Sequence, residues 1–238
     1  SRCSIKEFEE MFEEMYMKYK AVIFDMDGVI FAGEVDIRVI EEFRKQSIPV
    51  VLVNNYLDMD GLVCISADHY GGAVQATEYL CKLGHCKIGL LSGRFSPQVS
   101  EARIEGFVKT LAKYDIPVDD RFIADIEPAL EDGEEIMTRM LREVDRPTAF
   151  FCTNDTIAAG AMKAVTRAGL RVPEDIAIIG FDDSYISRVV EPELTTVRID
   201  AAKMGCLAMQ TLFDLIAGMP VEKAHIQIPT ELIVRGTA

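Results

Sequence analysis

Three histidines, six cysteines and a close pair of aspartates are the residues of this 238-residue chain best suited to making or breaking bonds. The cysteines, Cys3, Cys64, Cys81, Cys86, Cys152 and Cys206, lack a C-x-x-C pair and several lie in apolar runs. Reduced thiols within a core are the expectation, rather than metal ligands or a disulfide framework. His85 stands just past a helix end, where hydrogen bonding to a loop is its expected role, and His69 and His225 have no partner that completes a triad. No nucleophile, base and orienting group come together in the sequence, so no enzyme and no cofactor are expected. Asp25 and Asp27 follow the apolar segment Ala21 to Phe24 and read either as an acidic turn or as a reactive pair.

The elements that must position these residues alternate in period. An amphipathic helix at Ile5 to Tyr19 precedes short apolar segments at Ala21 to Phe24 and Val29 to Phe31. Helical spacing resumes at Asp36 to Gln46, and Ile48 to Val53 reads as a strand. Helices follow at Gly72 to Leu83, Ser100 to Tyr114, Gly133 to Val144 and Ile157 to Ala168. Strands lie between them at Ile88 to Leu91, Arg121 to Ala124, Ala149 to Cys152 and Ile176 to Ile179. Such alternation predicts parallel sheets covered by helices on both faces. After Ile179 the pattern becomes a short strand at Leu194 to Val197, a helix at Met204 to Ala217 and a strand at Ile226 to Val234. Loops at the carboxyl ends of such strands form the binding crevice, and here they start near Asn54, Gly93, Asn154 and Asp182.

Composition narrows the function further. Hydrophobic residues at 49% support a sizeable core, and 25 basic against 39 acidic residues give a net charge of -14, a field that repels phosphate backbones. The chain by itself is not expected to grip DNA or RNA. No apolar run is long enough to span a bilayer and no signal-peptide profile is visible, so a cytoplasmic protein is expected.

Lys20 to Ile30, with Asp25-Met26-Asp27-Gly28, resembles the first motif of haloacid-dehalogenase-type phosphatases, which implies Asp25 as nucleophile and Asp27 as acid and base. The resemblance covers about 35 residues and departs at the next motif, where Val53 stands in place of a hydroxyl residue. A second resemblance runs from Gly28 to the end. It is carried by Asp68-His-Tyr-Gly-Gly72, Leu83-Gly-His-Cys-Lys-Ile-Gly-Leu-Leu91, Arg103-Ile-Glu-Gly-Phe107, Phe151-Cys-Thr-Asn-Asp155, Gly169 to Ile176, Ile179-Gly-Phe-Asp-Asp-Ser184, Pro192 to Val197 and Pro229 to Arg235. In these the chain is similar to the effector-binding core of LacI/GalR transcriptional regulators. That implies a periplasmic-binding-protein-like α/β fold with two Rossmann-like or flavodoxin-like lobes. The expected boundaries are residues 1–92 plus about 198–220 for the first lobe and 93–197 plus about 221–238 for the second.

The resemblance implies a small-molecule effector, first of all a sugar, held between lobes that close on it, in a homodimer that meets DNA only through a headpiece absent from this chain. Carried over residue by residue, the ligand contacts are Asn54, Arg103, Asn154 and Asp182, with Phe181 and Tyr56 as stacking partners and no metal. Asn154 and Asp155 are alternatively helix caps, Asp182 and Asp183 turn formers, Arg103 a surface cation and Asn54 a turn residue. Removal of Arg103 or Asp182 is expected to leave the unliganded melting point nearly unchanged. Val99, Ile199 and Ala201 replace polar or aromatic residues usual in the family, while Ser100 follows one step late; the implied cleft is more apolar than usual. The opening strand, first helix and second strand of the first lobe are also missing from the pattern. A truncated or degraded chain is expected, or an engineered one in which Lys20 to Asp25 partly replaces them. A periplasmic sugar carrier is the remaining alternative, disfavoured by the cysteines and the absent signal peptide.

Overall fold

Alternation of side chains along β6 (Ala149–Cys152) organises the larger part of the molecule. Phe150 and Cys152 enter one apolar cluster, with Ile136, Met137, Met140 and Ile157, while Ala149 and Phe151 enter another, with Ala73, Ala76, Leu80, Phe107 and Leu111. A strand buried on both faces belongs to a parallel sheet sandwiched between helices. Each fully buried Phe contributes about 1.5–3 kcal/mol relative to exposure.

This is a computed structural model describing residues 22–25, 37–54, 57, 59–221 and 224–238. The helix expected at Ile5 to Tyr19, the strand at Val29 to Phe31, Asp27 and Tyr56 lie outside the described residues, as do the side chains of residues 22–25. The chain divides into two compact units: Ser1–Ser66 with Ala201–Gln227, and Ala67–Asp200 with Ile228–Ala238.

The first unit holds β1 (Val22–Asp25), β2 (Val50–Val53), β3 (Val63–Ala67) and β9 (His225–Ile228) in the order β1-β2-β3-β9, with β1, β2 and β3 parallel. Helix α1 (Ile37–Lys45) sends Ile40 and Phe43 into a core with Val50, Leu52, Leu62 and Cys64. Helix α7 (Ala201–Ile216) packs on β2 and buries Met204, Ala208 and Leu212.

The second unit runs α2 (His69–Lys82), β4 (Ile88–Gly93), α3 (Pro97–Lys113), β5 (Ile123–Ile126), α4 (Leu130–Met140), β6, α5 (Asp155–Arg167), β7 (Ala177–Asp182), α6 (Ile186–Val189), β8 (Thr195–Arg198) and β10 (Glu231–Ile233). Its sheet order is β10-β8-β7-β6-β4-β5, parallel except for β10. Chain order reverses at β4, which has β5 on one side and β6 on the other, so the crevice of a doubly wound sheet falls outside Gly93 and Thr153. Gly93 N donates to Thr153 Oγ1 there, at 2.7 Å.

Three expectations are corrected. The boundary expected at residue 92 falls at Ser66, because β4 is hydrogen-bonded between β5 and β6 and so belongs to the second unit; the boundary expected near residue 220 falls at Gln227. Val63 to Ala67, absent from the sequence reading, is a fully buried strand between Gly61 and Asp68. Ile226 to Val234 is two strands in different sheets, separated at Pro229, which has no N–H to continue a ladder.

Candidate functional site

Arg103 is the largest charged side chain buried in the second unit, only 1% exposed. It lies on α3, whose start is fixed by Pro97 at the first helical positions and by Ser100, whose Oγ donates to Gly93 O at 3.2 Å and accepts from Phe95 N at 3.1 Å. Ser100 thus closes the loop that carries Phe95. The guanidinium carbon sits 4.0 Å from the Phe181 ring centre and 4.9 Å from that of Phe95, so aromatic faces compensate part of the buried charge. At its edges, Nη1 donates to Thr153 O, Nη2 donates to Asp182 Oδ1 at 3.3 Å, and Nε and Nη2 approach His69 Nδ1 at 3.4 and 3.2 Å. A surface cation this is not.

Asp182 ends β7 with φ 109° and Asp183 follows with φ 51°, a left-handed pair that aspartate tolerates better than bulkier residues. The two carboxylates part there. Asp182, at 35% side-chain exposure, meets Arg103. Asp183 is 2% exposed and accepts from Arg235 Nη2, from Arg198 Nε at 2.7 Å, from Ser187 Oγ at 3.1 Å and from Arg188 Nη2 at 3.4 Å. Burial pushes its pKa up, but the hydrogen bonds from Arg235, Arg198 and Ser187 outweigh it and hold the carboxyl at about 2. Asp183 therefore anchors the loop whose neighbour, Asp182, stays open to water.

Asn154 caps α5 through Oδ1, which accepts from Ile157 N at 2.8 Å. Asp155 is the first residue of that helix, 1% exposed, and ties it to two other segments: Oδ1 accepts from Thr196 Oγ1 at 2.5 Å and Oδ2 from Ser184 N at 2.6 Å. Burial raises its pKa, and those bonds partly offset the rise. Phe181, expected to stack on a ligand, is fully buried beneath the guanidinium, because it is an inward residue of β7 facing α2. Asn54, in the first unit, is 9% exposed with φ 55°, and its N–H donates to Ile65 O at 2.7 Å. Arg103, Phe181 and Asp182 are thus brought together, with Asn154 next to the carbonyl that Arg103 grips. Of the other aromatics, Phe95 meets Arg103 and Tyr185 is 80% exposed. His85 Nδ1 lies 2.8 Å from Thr148 Oγ1, a loop contact, and His225 Nε2 lies 2.9 Å from Ser66 Oγ.

His69 is the site residue the sequence reading passed over. A legible signal existed: it falls at the start of α2, right after the cap Asp68, at helical spacing from the buried Ala73, Ala76 and Leu80.

The second unit is thus a doubly wound α/β sheet in which a buried arginine on α3 meets a half-open aspartate at the end of β7. A family model described as a periplasmic binding protein-like domain matches residues 77–238. The probable HTH-type transcriptional repressor ExuR of Bacillus subtilis (strain 168) is 35% identical over 211 residues, 88% of this chain and 63% of that protein. The chain therefore spans less than two thirds of that relative. A LacI-family regulatory protein from Chloroflexus aggregans matches with a TM-score of 0.85 at 28% identity, covering 99% of this chain and 82% of that one. A LacI-family transcriptional regulator from Enterococcus faecium, solved with bound ribose, gives 0.82 at 25% identity, covering 94% and 82%. The chain belongs to the periplasmic binding protein-like family, within which it is the effector-binding core of a LacI/GalR-type regulator. This favours the regulator over the phosphatase read from Asp25 and Asp27 and over the periplasmic carrier.

Proposed function

We propose that this core binds an uncharged sugar, or a related polyol metabolite, without making or breaking bonds in it. Arg103 and Asp182 of the second unit are the principal polar contacts, a fixed donor beside a carboxylate that can accept from vicinal hydroxyls. Asn154 contributes through its amide nitrogen, since its oxygen caps α5. Phe181 serves beneath Arg103 rather than against the ligand. The observation that carries the reading is the buried Arg103 guanidinium, gripped by Thr153, His69 and Asp182 and layered on Phe181 and Phe95. Such a group is positioned before any ligand arrives, which spares the ordering cost of binding. Ribose in the Enterococcus faecium relative supports a polyol of this size.

The whole regulator would act in the cytoplasm as a homodimer, relaying lobe closure to a DNA-binding headpiece outside this sequence. No cofactor or metal enters the scheme. The test is a thermal-shift screen of D-ribose, hexoses and nucleobases against the 238-residue chain, repeated with Asp182→Ala. A ligand at 100 times its dissociation constant adds about 2.7 kcal/mol, readily seen as a rise in melting temperature. A sugar-specific rise that Asp182→Ala abolishes is expected. No rise with any sugar, or an undiminished rise in the variant, refutes the assignment.

A further inference from the structure

We infer that His69 is the positioning residue for Arg103: its neutral imidazole holds the edge of the guanidinium that Asp182 would otherwise grip with both oxygens. The inference rests on the reading of Arg103 as a ligand donor. Guanidinium has only donors, so two of its N–H groups directed at Nδ1 require that nitrogen to carry a lone pair, with the ring proton on Nε2. Burial, and after it the adjacent Arg103 charge, hold the His69 pKa at about 2, so the ring is neutral at pH 7.

The edge that His69 meets is the one formed by Nε and Nη2. That is one of the edges through which a guanidinium forms a two-point pair with a carboxylate. With Nδ1 against it, Asp182 contacts Nη2 through Oδ1 at 3.3 Å. A neutral acceptor thus orients the guanidinium without adding a charge of its own.

The first turn of α2 is built to hold the ring there. Asp68 Oδ1 accepts from Gly71 N at 2.8 Å, and Asp68 N donates to Ile228 O at 2.8 Å. Gly72 allows this turn to lie against β7, since a Cβ there would stand 2.7 Å from Phe181 Cζ and 3.0 Å from Thr230 Oγ1. The His69 and Phe181 rings are consequently 6.0 Å apart, bracketing the guanidinium from edge and face.

The experiment uses the full 238-residue chain labelled with nitrogen-15. In the wild type, His69 should show an unprotonated Nδ1 and a protonated Nε2 at pH 7, and Arg103 a resolved, slowly exchanging Nε–H. A protonated Nδ1 overturns the proposal without recourse to any variant. His69→Phe keeps a ring against Phe181 but has no acceptor, whereas His69→Asn places Oδ1 where Nδ1 was. The Arg103 signal should broaden or vanish in the first and persist in the second. Titration with D-ribose should show at least about tenfold weaker binding in His69→Phe and affinity within about threefold of wild type in His69→Asn. Unchanged Arg103 signals and unchanged affinity in His69→Phe overturn the proposal, as does a failure of His69→Asn to restore either. If D-ribose binds none of the proteins, the ribose reading falls, and the nitrogen-15 signals alone decide the role of His69.

Discussion

Replacing Asp183 by Asn should cost about 3 kcal/mol at pH 7, and the cost should shrink in acid. Asp183 is 2% exposed and receives hydrogen bonds from Arg235, Arg198, Arg188 and Ser187, while Arg235 is itself only 12% exposed. Removing one partner of a buried pair leaves an uncompensated charge, which costs about 3–5 kcal/mol; an amide that keeps some hydrogen bonds belongs at the low end. The electrostatic share follows from the pKa. A carboxyl held at about 2 against 3.8 contributes about 2 kcal/mol, fully present above pH 4 and lost as pH falls through the folded-state value. Roughly 1 kcal/mol of it is gone at pH 3 and about 2 at pH 2. The assay is urea unfolding of wild type and Asp183→Asn from pH 7 to pH 2, following the transition of the second unit. For a chain of this size the pH 7 deficit lowers the melting midpoint by roughly 6–12 °C. A stability difference that stays constant across the range, or is below about 1 kcal/mol at pH 7, refutes the picture of an ionised anchor.

Two further outcomes follow from the same loop and its neighbours. Gly180→Ala should destabilise by about 1–3 kcal/mol in urea unfolding, because the added Cβ would stand 2.4 Å from Asp155 Oδ1 and 2.7 Å from Leu194 Cδ2. Asn154→Ala removes the cap of α5 and should cost about 1 kcal/mol, whereas Asn154→Asp should restore the lost stability in the same unfolding assay.

The burial of Arg103 corrects one expectation from sequence. An exposed arginine could be removed with little effect on the melting point, but this one fills a space between two phenylalanines and satisfies the Thr153 carbonyl. Its loss disturbs packing as well as binding. Asp182, at 35% exposure, is therefore the better single probe of ligand capture.

Much of the second unit was legible because its signals are local. A short continuous apolar run marked β6, helical spacing marked α2, α3 and α5, and turn residues punctuated their ends, so the alternation of strands and helices could be read along the chain. The carboxyl ends of the strands, where topology puts the crevice of such a sheet, could be read as well. The division between units was not legible, because it depends on which strands share hydrogen bonds: β4 joins β5 and β6, and Pro229 splits one apolar run between two sheets. Nor could types and spacing tell two adjacent aspartates apart. Asp182 and Asp183 differ in role because successive left-handed residues send one carboxylate to Arg103 and the other to Arg198 and Arg235, residues 15 and 52 positions away. Long-range partners of this kind, like the meeting of His69 with Arg103 across 34 residues, exist only once the chain has packed.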